Sequence, residues 1–155
     1  MGKMTFSAEG PVGAPAGLVY ELLRDYRTHH PRTLPPAFSP LTVEEGGVGE
    51  GTVVSFSIKS GGRKRPYRVR VTEPEPGRVL RETDQLSDTV TDFIVTPQSD
   101  GSRVHITIAW AGAGGIAGFF ERLFGPRIVT KMLTDEIARL DRYARAQAST
   151  SVPIS

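Results

Sequence analysis

Residues 126–146 read PRIVTKMLTDEIARLDRYARA. Apolar side chains recur in this stretch every three or four residues, which is the spacing of one face of an α-helix. A helix of this length is ~30 Å long and can lie across a whole β-sheet. We therefore predict a long C-terminal helix. Its apolar stripe consists of Ile128, Val129, Met132, Leu133, Ile137 and Leu140, and its opposite face of Lys131, Asp135, Arg139 and Arg142.

The chain before this helix predicts the sheet. Between Leu41 and Trp110 the sequence has no helical period, and short runs alternate apolar with polar side chains. Because consecutive strands are joined by short turns, we expect an antiparallel meander of about seven strands. The strands are predicted at 5–12, 41–45, 52–59, 67–71, 78–84, 88–96 and 103–110.

Alternation within these strands predicts which side chains face the helix. Those expected to point inward are Val54, Phe56, Tyr67, Val69, Ile106, Ile108 and Trp110, and those expected to point to solvent are Arg68, Arg70 and His105.

Two short helical segments are predicted after the first strand. Pro15 suits a first helical position, and the apolar residues from Leu18 to Tyr26 follow at helical spacing. Four prolines between residues 28 and 40 favour a short helical turn and then an irregular bridge. The order of elements predicts one α+β domain over 1–155, with a core at about 4–146 and a polar tail at 147–155.

Composition excludes several classes of protein. The chain has 155 residues, a formal net charge of +2 and no cysteine. A charge this small is not that of a nucleic-acid-binding protein, and disulfides, thiolate nucleophiles and cysteine-based zinc sites are excluded. No apolar run is long enough to span a bilayer, and the first residues do not resemble a secretory signal. We expect a cytoplasmic protein without integral membrane association.

Several turn motifs carry a resemblance to a known family. These are Val12-Gly13-Ala14-Pro15, EGGVGEGT at 45–52, VTEPEPGR at 71–78, and Thr96-Pro97 followed by DGSRV at 100–104. With them the sequence resembles the START-like, helix-grip superfamily, in the polyketide cyclase/dehydrase and lipid transport (SRPBCC) branch. The resemblance covers nearly the whole chain, about residues 4–145.

The resemblance implies a helix-grip fold, in which a curved antiparallel sheet wraps around the C-terminal helix and encloses a cavity. It implies binding or carriage of a small, largely apolar ligand such as a lipid, a polyketide or a quinone-like molecule. One alternative is a cyclase or dehydratase that uses acid/base groups in the same cavity. A second alternative is a dimeric interaction module with a filled interior. The motifs are turns and packing positions, so they do not choose among these functions.

Apolar and aromatic residues on the inward faces are the candidate ligand-binding residues. They are Tyr26, His29, Phe38, Phe56, Tyr67, Val69, Phe93, Ile108, Trp110, Phe120, Phe124 and Met132. The cavity is expected to open near the segment from Phe119 to Phe124, which follows a glycine-rich run, and the proline-rich bridge at about 34–38.

Candidate catalytic residues are few, and the catalytic set stays unknown. His29 is preferred to His30 as a histidine that reaches the cavity, because it lies one turn from Tyr26. If Thr96 pairs with Arg103, Phe93 faces inward; a one-residue slip would turn Asp92 inward instead, as a possible acid or base.

No metal and no cofactor are expected. Adjacent histidines on a helix point ~100° apart and would rarely bind one ion. The glycine run at 112–118 departs from the GxGxxG spacing, and no later strand completes a dinucleotide-binding unit.

Overall fold

The computed structural model of the protein describes residues 3–60, 62–111 and 125–151. The strands of this part are β1 (Lys3–Val12), β2 (Thr42–Glu45), β3 (Val53–Ser60), β4 (Arg63–Glu75), β5 (Val79–Asp84), β6 (Val90–Gln98) and β7 (Gly101–Ala111). The helices are α1 (Ala16–Arg24), a 3-10 helix (His30–Thr33) and α2 (Gly125–Ser151). This order confirms the predicted α+β fold class.

The strands form one curved antiparallel sheet in the order β1-β7-β6-β5-β4-β3-β2. Strands β2 to β7 form the expected meander. Strand β1 is the edge strand next to β7 and pairs with it from Lys3 opposite Ala111 to Val12 opposite Ser102. The register of β4 against β5 shifts between Thr72 and Glu75. Irregularities of this kind bend a sheet, which suits a sheet that wraps around a helix.

The core lies between the inner face of the sheet and α2. Val129, Leu133, Ile137 and Leu140 of α2 are buried, in agreement with the predicted stripe. Ile128 was expected in the same stripe, but it is 53% exposed. Adjacent helical positions point about 100° apart, so the burial of Val129 turns Ile128 outward.

The inner faces of the strands follow the predicted alternation. Tyr67, Val69, Ile106 and Ile108 are buried against the helix side. Arg70 is exposed, as expected, whereas Arg68 and His105, which were also expected to point to solvent, are half-buried. The side chain of Trp110 lies outside the described residues.

A clasp of three side chains fixes α1 to β4. The guanidinium of Arg24 donates from Nε to Glu73 Oε2 at 3.1 Å and from Nη2 to Glu73 Oε1 at 3.0 Å. The hydroxyl of Tyr20 donates to Glu73 Oε2 at 2.6 Å. The bonds from Arg24 are the main reason that the pKa of Glu73 falls to about 2, so this carboxylate stays ionised.

The glycine turn before β3 positions the chain that follows α1. The amide of Gly49 donates to the Arg24 carbonyl at 2.9 Å, and the amide of Tyr26 donates to the Gly47 carbonyl at 2.9 Å. Gly49 has φ +74°, and a Cβ there would collide with the guanidinium of Arg24. A glycine is therefore required where this turn meets the helix end, next to the residues that reach the cavity.

The C-terminal helix is longer than predicted, because it continues to Ser151 and Ala148 still packs on the core. The expected polar tail at 147–155 therefore begins as helix. Among the described residues, no helix is both long and apolar enough to cross a membrane. A cytoplasmic location stays a prediction.

Candidate functional site

A cavity of about 60 Å³ lies between the inner face of the sheet, the proline-rich bridge and α2. Its walls are mainly apolar, as expected from the inward alternation of the strands. The candidate residues that line it are Tyr26, Phe38, Phe56, Tyr67, Val69, Phe93, Ile108 and Met132.

Three stacked aromatic rings form one wall. The ring of Phe38 lies 5.6 Å from that of Phe56, and the ring of Phe56 lies 5.4 Å from that of Tyr67. Phe38 comes from the proline-rich bridge, whereas the other two face each other across β3 and β4. The wall offers broad apolar surface to a ligand.

His30 belongs to a group of polar residues that also line the cavity. Its ring is buried, stacks on Tyr26 at 4.5 Å and meets the edge of Phe93 at 5.3 Å. Nδ1 lies 2.6 Å from the carbonyl oxygen of Leu23. Burial lowers the pKa of His30 to about 4, so the imidazole is neutral at neutral pH. Nδ1 must then carry the proton, which leaves a lone pair on Nε2.

Glu82 on β5 lies beside this histidine. The hydroxyl of Tyr26 donates to Glu82 Oε2 at 2.6 Å, and Nε2 of His30 is 4.0 Å from the same oxygen. Burial raises the pKa of Glu82 to about 7, although the bond from Tyr26 acts in the opposite direction. Burial, and then the charge of Glu82, also raise the pKa of Tyr26 well above its usual value.

Glu136 supplies a second carboxyl from α2. It is only 5% exposed and lines the same cavity. Among the described residues, no donor bonds to its Oε2 atom. Burial raises the pKa of Glu136 to about 8, and the charges of Glu82 and Asp135 add to the shift. We call Tyr26, His30, Glu82 and Glu136 the polar cluster.

The preference for His29 over His30 was wrong about which histidine reaches the cavity. The 3-10 helix begins at His30 and turns its side chain inward. His29 is half-buried, and its Nδ1 lies 2.6 Å from the hydroxyl of Tyr143 on α2. His29 therefore connects the 3-10 helix to α2 and does not line the cavity.

Asp92 lies on the outer face of the sheet. Thr96 pairs with Arg103, and this register places Phe93 inside. Asp92 accepts two hydrogen bonds from Arg81, at 2.8 Å and 3.0 Å. Its carboxylate is paired away from the cavity, so the structure gives it no place in the site.

The sequence reasoning missed the two carboxyls of the polar cluster. Glu136 lies four residues after Met132 and four before Leu140, so a charged residue stands in the apolar stripe. This charged residue among apolar ones was the feature of the sequence that could have identified Glu136 as a cavity residue. Glu82 shares its face of β5 with Leu80, which is fully buried, but the register of this strand was undetermined.

The remaining candidates fall outside the described residues. Phe120 and Phe124 lie in the segment 112–124, as does the glycine run, and the side chain of Trp110 adjoins it. Within the described ranges, no group of three histidine, aspartate or glutamate side chains could hold a metal ion.

Comparison with known proteins gives one family model and several related structures. A family model described as polyketide cyclase / dehydrase and lipid transport matches residues 3–145. No curated protein sequence matches the chain. The solution structure of KanY protein (ms6282) is 29% identical, has a TM-score of 0.82, and the alignment covers 94% of this chain and 99% of that chain.

Two more distant structures share the fold. TTHA0849 from Thermus thermophilus is 19% identical with a TM-score of 0.76, over 94% of this chain and 99% of that chain. The di-domain ARO/CYC StfQ from the steffimycin biosynthetic pathway is 15% identical with a TM-score of 0.70, over 95% of this chain and 52% of that chain. At these identities the likeness concerns the fold alone.

Proposed function

Because the chain belongs to the polyketide cyclase/dehydrase and lipid transport family, we propose that it binds or carries a small, largely apolar molecule in the cavity between the sheet and α2. The observation that supports this most is the composition of the cavity wall. Stacked aromatic and aliphatic side chains make up most of it, and polar side chains, among them the polar cluster, are the minority of its lining. Apolar walls supply binding free energy, while a few polar groups orient the ligand.

The cavity must expand to admit such a ligand. Its volume of about 60 Å³ has room for a few water molecules, whereas ligand pockets are typically about 300–1,000 Å³. Phe38 and Met132 line the cavity and are half-buried. Met132 has a flexible side chain, so we expect it to move first.

A pair of identical substitutions on neighbouring strands tests this proposal. Thr91 on β6 lines the cavity and pairs with Ile108. Thr107 on β7 is in the next pair, opposite Asp92, and lies on the outer face of the sheet. Thr91→Leu adds volume inside the cavity and should weaken binding of the fluorescent apolar probe N-phenyl-1-naphthylamine by about tenfold, as expected for loss of ~1.4 kcal/mol. Thr107→Leu makes the same change outside and should leave the affinity within about twofold.

The result that contradicts the proposal is equally specific. If both variants are folded and bind the probe like the wild type, the probe does not occupy the cavity. If the wild type binds no apolar probe and sediments as a dimer, the interaction-module alternative takes the place of the carrier.

A second candidate function is acid/base catalysis, and the paired carboxyls favour it. Glu82 and Glu136 line one cavity and have pKa values near neutrality, about 7 and about 8. Groups with such values can both accept and donate protons at neutral pH. Perturbed carboxyls of this kind are frequent in active sites, although structural networks also produce them.

The corresponding reaction is dehydration of a β-hydroxyketone. The Glu82 carboxylate would take the proton from the carbon next to the carbonyl, while neutral Glu136 would protonate the leaving hydroxyl. A carbon–carbon double bond forms, water leaves, and the proton ends on Glu82 instead of Glu136. Incubation of the protein with a β-hydroxyketone of polyketide type should then yield the enone at a rate that Glu82→Gln abolishes and Asp92→Asn does not change. Equal rates with and without protein would reject this function.

A further inference from the structure

The polar cluster has more hydrogen-bond acceptors than donors. The hydroxyl of Tyr26 is the one donor directed at its carboxyls among the described residues, and it is already bonded to Glu82 at 2.6 Å. The N–H of His30 is used by the Leu23 carbonyl, so Nε2 presents a lone pair on the side of Glu82. In the part of the chain that the structure describes, no lysine or arginine lines the cavity.

The Oε2 atom of Glu136 is the acceptor without a partner. It is buried on the cavity-lining side of α2, and no described residue donates to it. Buried polar atoms are almost always hydrogen-bonded, so an exception requires an explanation, and an absent ligand is one. The free cluster compensates by holding protons on its carboxyls, because two buried charges close together are costly.

The other ionisable groups near the cluster do not supply a cation. Asp84 lines the cavity, but its carboxylate accepts hydrogen bonds from the amides of Arg68 and Leu86 and from the hydroxyl of Ser87. Asp135, next to Glu136, is bound to Arg139 at 2.9 Å. The remaining ionisable residue that lines the cavity among the described ones is Tyr67, on the aromatic wall. Its phenol is neutral because burial raises its pKa.

We propose that the ligand carries a protonated amine, whose N–H groups donate to Glu82 and Glu136 while its apolar part lies against the aromatic wall. This inference rests on the proposed binding function and adds the chemical class of the ligand. An ammonium supplies three donors and the positive charge that the described lining lacks. When it binds, it takes the place of a proton held on one of the carboxyls. An anionic head group, such as that of a fatty acid, meets two acidic side chains and is rejected.

Three probes of nearly equal shape test the proposal. They are 2-(2-naphthyl)ethylamine, 2-(2-naphthyl)ethanol and 2-naphthylacetate, which differ in the charge of the polar end. Isothermal titration calorimetry at pH 7.5 should show that the amine binds at least about tenfold more tightly than the alcohol, with no saturable binding of the acid. Titration in two buffers of different ionisation enthalpy should show release of about one proton for the amine and none for the alcohol.

Matched variants locate the effect. Glu136→Gln keeps the shape of the side chain and should remove most of the preference for the amine, while affinity for the alcohol stays within about twofold. Asp135→Asn, one residue away on the outer side of α2, should leave the preference within about twofold. If the alcohol binds as tightly as the amine, or if Glu136→Gln keeps the preference, the inference is overturned and the binding function is not. If none of the three probes binds, both are overturned.

Discussion

At the scale of single residues, the burial of Glu136 determines the chemistry of the cavity. A glutamate on the core-facing side of α2 is costly unless it is protonated or paired. The sequence alone shows the residue inside an apolar stripe, but not the partner that faces it from the sheet. Glu82 comes from a strand more than fifty residues earlier, and its inward direction depends on a register that one residue's slip would reverse.

Replacing Glu136 with glutamine should stabilise the protein at high pH. In the unfolded chain this carboxyl loses its proton near pH 4.5, whereas the folded chain retains it up to about pH 8. Between these values the folded state binds more protons, so the free energy of unfolding of the wild type falls as the pH rises. Glu136→Gln has no such carboxyl, so its free energy of unfolding does not fall in this way. Relative to the wild type, its free energy of unfolding should rise by roughly 2–4 kcal/mol between pH 4.5 and pH 8.

Chemical denaturation at several pH values measures this difference. Glu21→Gln is the control, because that carboxylate lies on α1 and is 67% exposed. Its stability relative to the wild type should stay nearly constant over the same range. A constant difference for Glu136→Gln would mean that the Glu136 carboxyl titrates normally and is not buried.

At the scale of secondary-structure elements, the sequence predicts most of the fold because strands and helices have different periods. The strands β3, β4 and β7 and the helix α2 all show clean apolar faces. Their bounds lie within a few residues of those predicted, apart from both ends of β4 and the C-terminal end of α2. Helix ends were harder to predict. Nothing in the run from Gln147 to Ser151 stops a helix, so α2 continues past the last apolar stripe residue. Likewise, the choice between His29 and His30 depended on the first residue of a 3-10 turn.

The clasp between α1 and β4 is an element-scale contact whose loss should be measurable. Glu73 is only 7% exposed at its side chain and accepts bonds from both Arg24 and Tyr20. Glu73→Gln should lower the free energy of unfolding at pH 7 by about 1–3 kcal/mol, since bonds to a buried charge are lost. Glu21→Gln is the control, because Glu21 meets the same Arg24 at 3.6 Å but is 67% exposed. It should cost under about 0.5 kcal/mol.

The effect of Glu73 should also depend on pH. The pKa of Glu73 is about 2 in the folded chain and 4.5 in the unfolded chain. As the pH falls, the unfolded state therefore binds the proton first. The stabilising contribution is therefore complete above pH 4.5 and disappears toward pH 2. Acid denaturation curves of the wild type and Glu73→Gln should converge below pH 3. Curves that stay parallel would show that this carboxylate does not anchor α1.

At the scale of the whole molecule, the fold and the family follow from packing, whereas the function that we propose depends on a few side chains in the cavity. Structures between 15% and 29% identical share this architecture, so the sheet and α2 tolerate wide variation. The turn motifs indicate the fold from the sequence, because glycine and proline determine the backbone conformation of a turn through local effects alone. The polar cluster could not be identified in this way, since its members come from three separate parts of the chain that only the folded structure brings together.

The central claim is that an apolar molecule binds between the sheet and α2, and methyl NMR tests it most directly. Titration with N-phenyl-1-naphthylamine should shift the methyl signals of Val69, Ile108 and Leu133, which line the cavity, with one saturable dissociation constant. The methyl signals of Leu86 and Ile128, which are exposed apolar residues, should not shift. Shifts confined to Leu86 and Ile128, or no saturable shift at the three cavity residues, would contradict the account.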